Sequence, residues 1–328
     1  RRATYASNNA VASAHPLASE AATQIFDLGG NAADAAIAAA FTLAVVEPSM
    51  SGIGGRLQAI IHDPVLGISG IDASTQVPQN YDGKSYDSEG YKTIGIPGVV
   101  AGLMKLHRDH GSMPLKSIMK PAISLAENGF NLLPGEAYRQ QLARASLLKY
   151  QGSRELFLNS DSTSYEAGDT FIQPELAKVL KFIAEKGHDG FYKGEIADEI
   201  VKDFNENGGY LTKEDLYAYE AKESKILKGV YKGRDVYSLY LPSYGAITIN
   251  LLQILDQFNL NSKDKLSEML ITAKAISKAY AKRVIQSDSL DLILSFDLAK
   301  RQAKEIENEI TFINALNETD PISYYSKQ

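Results

Sequence analysis

Two alternating runs carry the residues best suited to hold an anion. Arg56–His62 and Ile68–Ser74 are separated by Asp63-Pro64-Val65-Leu66-Gly67, a five-residue loop with turn chemistry. A symmetric hairpin pairs His62 with Ile68, Ile60 with Gly70, Gln58 with Asp72 and Arg56 with Ser74. Side chains directly opposite lie about 5 Å apart at Cβ and share one face. A guanidinium at 56 and a hydroxyl at 74 are thereby placed on one face at the open end of the hairpin. The alternative is an ordinary surface or salt-bridged arginine, and a one-residue bulge would turn Arg56 to the other face.

Other reactive residues point to less. The chain has no cysteine, which excludes disulfides, thiolate metal sites and cysteine nucleophiles within it. His107 and His110 stand one turn apart near a helix end, but no third ligand accompanies them. Cationic character at a helix C-terminus explains them, and no metal site is expected. Neither a phosphate loop nor a zinc signature nor an internal repeat is present, so no cofactor is expected. Asp34, inside an alanine-rich helix, needs a hydrogen-bond partner if it is buried.

The elements that must position these residues follow from periodicity and composition. Helices are expected at Leu17–Leu28, Ala32–Val46, Pro97–His110, Leu115–Asn128, Pro134–Leu148 and Pro174–Glu185. Further helices are expected at Lys193–Asn207, Lys213–Tyr217, Ile247–Phe258, Lys263–Arg283 and Asp297–Ala315. Strands are expected at Ala10–Ala14, Arg56–His62, Ile68–Ser74 and Val236–Leu239. Such a mixture predicts an α+β fold of helical layers against sheets. No linker or composition break divides the 328 residues, which read as a single unit over 1–328. A net charge of −6 with scattered Lys and Arg gives no footprint for nucleic acid or an anionic membrane. No run of 18 apolar residues exists, so no membrane span is expected.

The segment Gly29–Gly55, GGNAADAAIAAAFTLAVVEPSMSGIGG, is the most informative stretch. Alanine has the best helix propensity, Asn31 is a good N-cap, and Pro48 ends the run. At about 15 residues the helix is shorter than the roughly 20 that span a bilayer. It reads as a buried core helix followed by a tight Gly52–Gly55 turn. This segment also resembles the gamma-glutamyltranspeptidase family. The resemblance continues through VASAHPLASEAATQIFDLGGNAADAA, IGIPGVVAGLMKLHRDHG, KPAISLAENGF, QPELAKVLKFIAEKGHDGFYKGEIADEIV, GGYLTKEDLYAYEA and YKGRDVYSLYLPSYGAITINLLQIL. It weakens from about Ser287 onward.

The resemblance implies an N-terminal nucleophile hydrolase with a four-layer αββα sandwich, of which this chain looks like the large-chain portion. Such enzymes use a Thr, Ser or Cys whose own α-amine is the general base. The first residue here is Arg1, so no catalytic residue of that kind is expected in this chain. A partner small chain from the same precursor, opening with Thr directly after Gln328, is expected to supply the nucleophile. The implied substrate is a small-molecule gamma-glutamyl or related amide, and the implied address is periplasmic or secreted, with a cytoplasmic alternative.

The family holds the glutamyl α-carboxylate with an Arg-Glu pair in a context like Asp-x-Arg-Glu-x-x-Pro. Here the segment is Asp72-Ala73-Ser74-Thr75-Gln76-Val77-Pro78, so Ser74 and Thr75 stand where that pair is kept. A charge-assisted bidentate pair contributes about 1.5–3 kcal/mol. Arg56 is expected to replace it from across the hairpin, with Ser74 adding a hydroxyl. The changed clamp keeps two alternatives open: a glutaryl- or cephalosporin-type acylase of the same fold, and a catalytically silent relative with a binding role. Leu241-Pro242-Ser243-Tyr244-Gly245-Ala246 stands where the family has Pro-Ser-Ser-Gly-Gly. A helix entry capped by Ser243 is expected there, or Tyr244 walls a pocket.

Overall fold

Ala32–Val46 is helical from end to end, as its alanine content and its flanking Asn31 and Pro48 require. In the computed structural model the described residues are 8–84, 87–260, 265–282 and 290–319, with side chains as far as 311. Arg1 and Ser326–Gln328, on which the expectations about the chain ends rest, lie outside the described residues. In chain order the first elements are α1 (Pro16–Asp27), α2 (Ala32–Val46), β1 (Leu57–Asp63), β2 (Gly67–Ala73), α3 (Val99–His110) and α4 (Leu115–Asn128). They are followed by β3 (Phe130–Asn131), α5 (Pro134–Leu147), α6 (Gln151–Phe157), β4 (Thr170–Phe171), α7 (Pro174–Lys186) and α8 (Asp189–Tyr192). Next come α9 (Gly194–Glu206), α10 (Lys213–Tyr217), β5 (Lys222–Glu223), β6 (Ile226–Tyr231) and β7 (Arg234–Leu239). The chain continues with α11 (Gly245–Leu255), α12 (Lys265–Tyr280), α13 (Leu290–Ile293) and α14 (Phe296–Thr319).

The residues gather into two compact units, Arg1–Gln58 with Ile71–Lys222, and Ala59–Gly70 with Glu223–Gln328. In the first, α2 is the central rod, and α1, α3 and α4 pack around it. Its small side chains bring neighbours close, and Ile37, Phe41, Val45 and Val46 are fully buried. Burying a side chain the size of Phe41 contributes about 1.5–3 kcal/mol. In the second, α11 packs with α12 and α14 around Ile247, Ile254, Ala275, Ala279, Ala299 and Ile306. The β6–β7 hairpin turns at Lys232 and Gly233, both with positive φ (50° and 71°). That is the conformation a two-residue loop needs to match strand twist. The sheets are small, ordered β1-β2-β5, β3-β4 and β6-β7.

Two expectations about strands change. Ala10–Ala14 forms no strand in the structure, although its burial alternates from Val11 to Ala14. Alternation marks a strand-like surface, but a strand exists only with a hydrogen-bonded neighbour, and none is formed here among the described residues. The hairpin occupies Leu57–Asp63 and Gly67–Ala73, so Arg56 and Ser74 sit one residue beyond its open end. Its turn is tightened by Asp63, whose carboxylate accepts from the Val65 and Leu66 amides, and by Gly67 at φ 85°.

A largely buried helix takes most of its end-group partners from protein. Asn31 and Asp34 form a reciprocal capping box, each side chain accepting the other's backbone N–H at 3.0 Å. The Ser112 hydroxyl donates to Asp34 Oδ2 at 2.6 Å and its amide to Oδ1 at 3.0 Å. Burial by itself raises the Asp34 pKa, but the Ser112, Asn31 and Met113 hydrogen bonds outweigh it and hold the carboxyl below its ordinary value. His15 caps α1 by accepting the Leu17 amide through Nδ1, and burial lowers its pKa against the pull of Glu47 and Glu136.

A depressed carboxyl contributes stability that is complete above the unfolded pKa and is lost as pH falls through the folded one. Asp34→Asn should therefore destabilise the protein at neutral pH by about 2 kcal/mol. In urea titrations the gap to the native protein should close as pH drops below about 4.

Candidate substrate-binding site

The turn that follows α2 is held by a buried carboxylate network. Glu136, on α5, is 2% exposed and accepts from the Ser49 hydroxyl at 2.6 Å, Gln140 at 3.0 Å and Arg139 at 3.2 Å. Arg139 also donates to Glu47 at 2.9 Å and to the Ser49 hydroxyl at 2.6 Å. One guanidinium thus bridges two carboxylates and fastens the Glu47-Pro48-Ser49 stop to α5. Beyond it, the Gly55 carbonyl accepts the Gly98 and Val99 amides at 2.8 and 3.1 Å, filling the role of a cap for α3. Gly98 itself is required: a Cβ there would come within 1.9 Å of the Ala73 carbonyl oxygen.

These constraints open a cleft of about 740 Å³ whose walls include Leu43, Met50, Ser51, Arg56, Gln58 and Val99. Arg56 is exposed, and none of the described carboxylates pairs with it. The Gln58 amide nitrogen is buried without an acceptor. The cleft thus presents an unpaired cation on a concave surface, which suits an anionic ligand.

Ser74 has a different position. Its hydroxyl and amide both donate to Asp72 Oδ1, at 2.6 and 3.0 Å, and it is not among the residues lining the Arg56 cleft. Its carbonyl accepts the Tyr219 hydroxyl at 2.7 Å. Tyr219 stacks on Tyr192 at 5.6 Å, and Tyr192 on His188 at 4.4 Å. The Tyr192 hydroxyl donates to the Pro97 carbonyl at 2.7 Å and accepts the Ala101 amide. The ring stack thus ties the end of β2 to the start of α3. Burial, with Asp72 adding to it, pushes the Tyr219 pKa up to about 12, so its hydroxyl stays a donor at physiological pH. Thr75, Gln76, Val77 and Pro78 line a separate cleft of about 350 Å³.

The remaining sequence candidates are accounted for. His107 bonds the Met113 carbonyl at 2.8 Å, and the His110 carbonyl accepts from Asn31. Among the described residues no group of three or more potential ligands is placed to hold a metal. α11 begins at Gly245 with no side-chain cap, so the Ser243 cap expected from sequence is not made. Close packing sets that entry instead, because a Cβ at Gly245 would lie 2.1 Å from the Leu239 carbonyl oxygen. The carboxylate network and the ring stack were not read from the sequence. Glu136, Arg139 and Gln140 do share a helix face at i, i+3 and i+4, but no local pattern ties them to Glu47.

The fold is the α+β fold of the N-terminal nucleophile hydrolases, in its large-chain portion. A family profile described as gamma-glutamyltranspeptidase matches residues 18–328. The glutathione hydrolase proenzyme of Escherichia coli (strain K12) is 35% identical over 288 residues, covering 83% of this chain and 50% of that protein. The crystal structure of Helicobacter pylori gamma-glutamyltranspeptidase matches with a TM-score of 0.87 at 32% identity, over 93% of each chain. Cephalosporin acylase from Bacillus halodurans matches with a TM-score of 0.82 at 27% identity, over 93% of this chain and 62% of its own. The chain belongs to the gamma-glutamyltranspeptidase family. It spans about half the length of the curated relatives it matches. Among the described residues no helix is long and apolar enough to cross a membrane.

Arg139→Ala leaves the buried Glu136 carboxylate without its cation. Because Arg139 is itself partly exposed, the expected loss is about 1–3 kcal/mol, below that of a fully buried pair. Urea unfolding measures it, and Arg139→Lys should recover only part of the loss.

Proposed function

We propose that this chain is the large chain of a two-chain gamma-glutamyl amidohydrolase or acyltransferase. Both compact units and the companion chain then belong to one αββα domain. The companion supplies a Thr whose α-amine takes the proton from its own hydroxyl. The Thr Oγ bonds to the amide carbonyl carbon, the C–N bond breaks, and the leaving amine departs with the proton. Water or a second amine then attacks the acyl ester and restores the hydroxyl. Backbone amides of the companion hold the oxyanion. Hydrolysis is favoured over transfer, because the altered clamp suits a substrate other than glutathione. The proposal includes a periplasmic or secreted location, with a cytoplasmic one as its alternative.

Within this reading Arg56 takes the substrate carboxylate, while Ser74, whose hydroxyl donates to Asp72 and which does not line the Arg56 cleft, is left out of the clamp. The observation that supports Arg56 most directly is its unpaired guanidinium in the cleft beside the glycine turn. A second reading, a glutaryl- or cephalosporin-type acylase, is favoured by the match to cephalosporin acylase and by Ser74 and Thr75 at the clamp positions. A glutaryl amide carries no α-amino-acid group for a clamp to grasp. A catalytically silent binding protein is the outcome if the companion opens without a hydroxyl or thiol.

Expression of the complete gene and mass analysis of its product should show two chains, the second beginning with Thr. Release of chromophore from gamma-glutamyl and glutaryl anilides separates the two enzymatic readings. Arg56→Ala should lower kcat/KM for the carboxylate-bearing anilide at least about tenfold while sparing a neutral amide. Equal losses on both substrates would remove Arg56 from the site.

A further inference from the structure

α12 presents three distinct faces. Ala275 and Ala279 are fully buried in the cluster shared with α11 and α14. A second flank is ionic: Lys274 reaches Glu309 at 2.6 Å, and Lys278 reaches Glu305 at 2.7 Å and Glu309 at 2.9 Å. The third carries Met269, Ala273, Ile276 and Tyr280, all exposed, at spacings of four, three and four. That spacing is one side of an α-helix. Met269 is 70%, Ile276 42% and Tyr280 50% exposed. The line runs about 16 Å at 1.5 Å per residue. It holds no charge, so covering it costs little desolvation. Tyr244, 46% exposed at the head of α11, extends it, with its ring centroid 5.9 Å from that of Tyr280.

Single exposed apolar residues are ordinary, but a continuous uncharged line of them is a face built to be covered. In a layered fold a helical layer lies against a sheet. In this unit the β6–β7 hairpin already packs on α11, through Leu227, Ala246, Ile249 and Val236. No described strand covers the Met269–Tyr280 line. Curated relatives are about twice as long as this chain, and those matched here are named proenzymes. A further polypeptide of similar size therefore accompanies the equivalent of this chain in them.

We infer that the Met269, Ala273, Ile276 and Tyr280 face of α12, with Tyr244, is the seat of an apolar sheet face of the companion chain. The inference rests on the two-chain reading above, and it names where on this chain the partner docks. The seat is apolar and hydrogen-bond-poor, so the partner surface that fits it is a sheet face of alternating aliphatic side chains rather than a loop or a charged strand edge. Its ionic flank fixes α12 against α14, which keeps the apolar line pointing one way.

The absence of cysteine makes a direct test possible in the complete two-chain protein. Met269→Cys and Ile276→Cys each place a single thiol in this chain, and Leu142→Cys, at a position 67% exposed on α5, is the control. Maleimide labelling, read by the mass of this chain, should be at least about tenfold slower at 269 and 276 than at 142. The rates should become equal in urea. A photo-crosslinking phenylalanine at 276 should capture a peptide of the companion chain. Labelling as fast as at the control, or a crosslink only to a second copy of this chain, overturns the assignment. If two chains are present and position 269 reacts freely, only the docking site is wrong. If the complete product contains no second chain, the two-chain reading fails and the docking site fails with it.

Discussion

Everything near the cleft hangs on how the ends of one largely buried helix are held. Ten of the fifteen residues of α2 are buried, so most of the orphan N–H and C=O groups at its ends are met by partners from protein. At the N-terminus Asn31 and Asp34 cap the helix, and Asp34 reaches on to Ser112 in the α3–α4 connection. At the C-terminus Gln173 donates to the Val45 carbonyl at 2.7 Å, and Arg139 secures Glu47. Hydrophobic burial drives α2 inward, but these few polar contacts determine its axial position and hence the place of everything that follows it.

The cleft inherits that position. Glu47-Pro48-Ser49 is locked by Glu136 and Arg139, so the Gly52–Gly55 turn starts from a fixed point. The Gly55 carbonyl then caps α3, whose own N-terminus is pressed against Ala73 through Gly98. Arg56 emerges from this turn with its backbone constrained and its side chain free to meet a ligand. In the proposed reading this arrangement places the rigidity in the backbone and leaves the charged group unpaired for an anion.

The departure from the family's clamp has a structural counterpart. At Ser74 the side chain turns back onto Asp72, and the chain is held from behind by Tyr219 and its stacked neighbours Tyr192 and His188. The anchoring of the strand end does not depend on an arginine at 74. The scaffold can therefore keep its shape without an arginine at 74.

Much of this was legible from residues alone. The bounds of α2, α4 and α10 follow from propensity, caps and prolines, which act over one or two helical turns. The family followed from ordered blocks of sequence such as the Gly29–Gly55 stretch. The Asp34 partner was demanded by burial, though not its identity. Other features were decided only when the chain folded. Ser49 and Glu136 are 87 residues apart, and Tyr219 and Ser74 are 145 apart, so no local pattern could pair them. Ala10–Ala14 alternates like a strand yet stays unpaired, because a ladder needs a second strand in register. The same holds for the hairpin's open end, which left Arg56 and Ser74 outside the ladder. Local sequence determined which segments are helices and where they stop, since those energies lie within a few residues. Tertiary structure decided which polar groups meet and which apolar faces stay open, since those energies depend on partners distant in the chain.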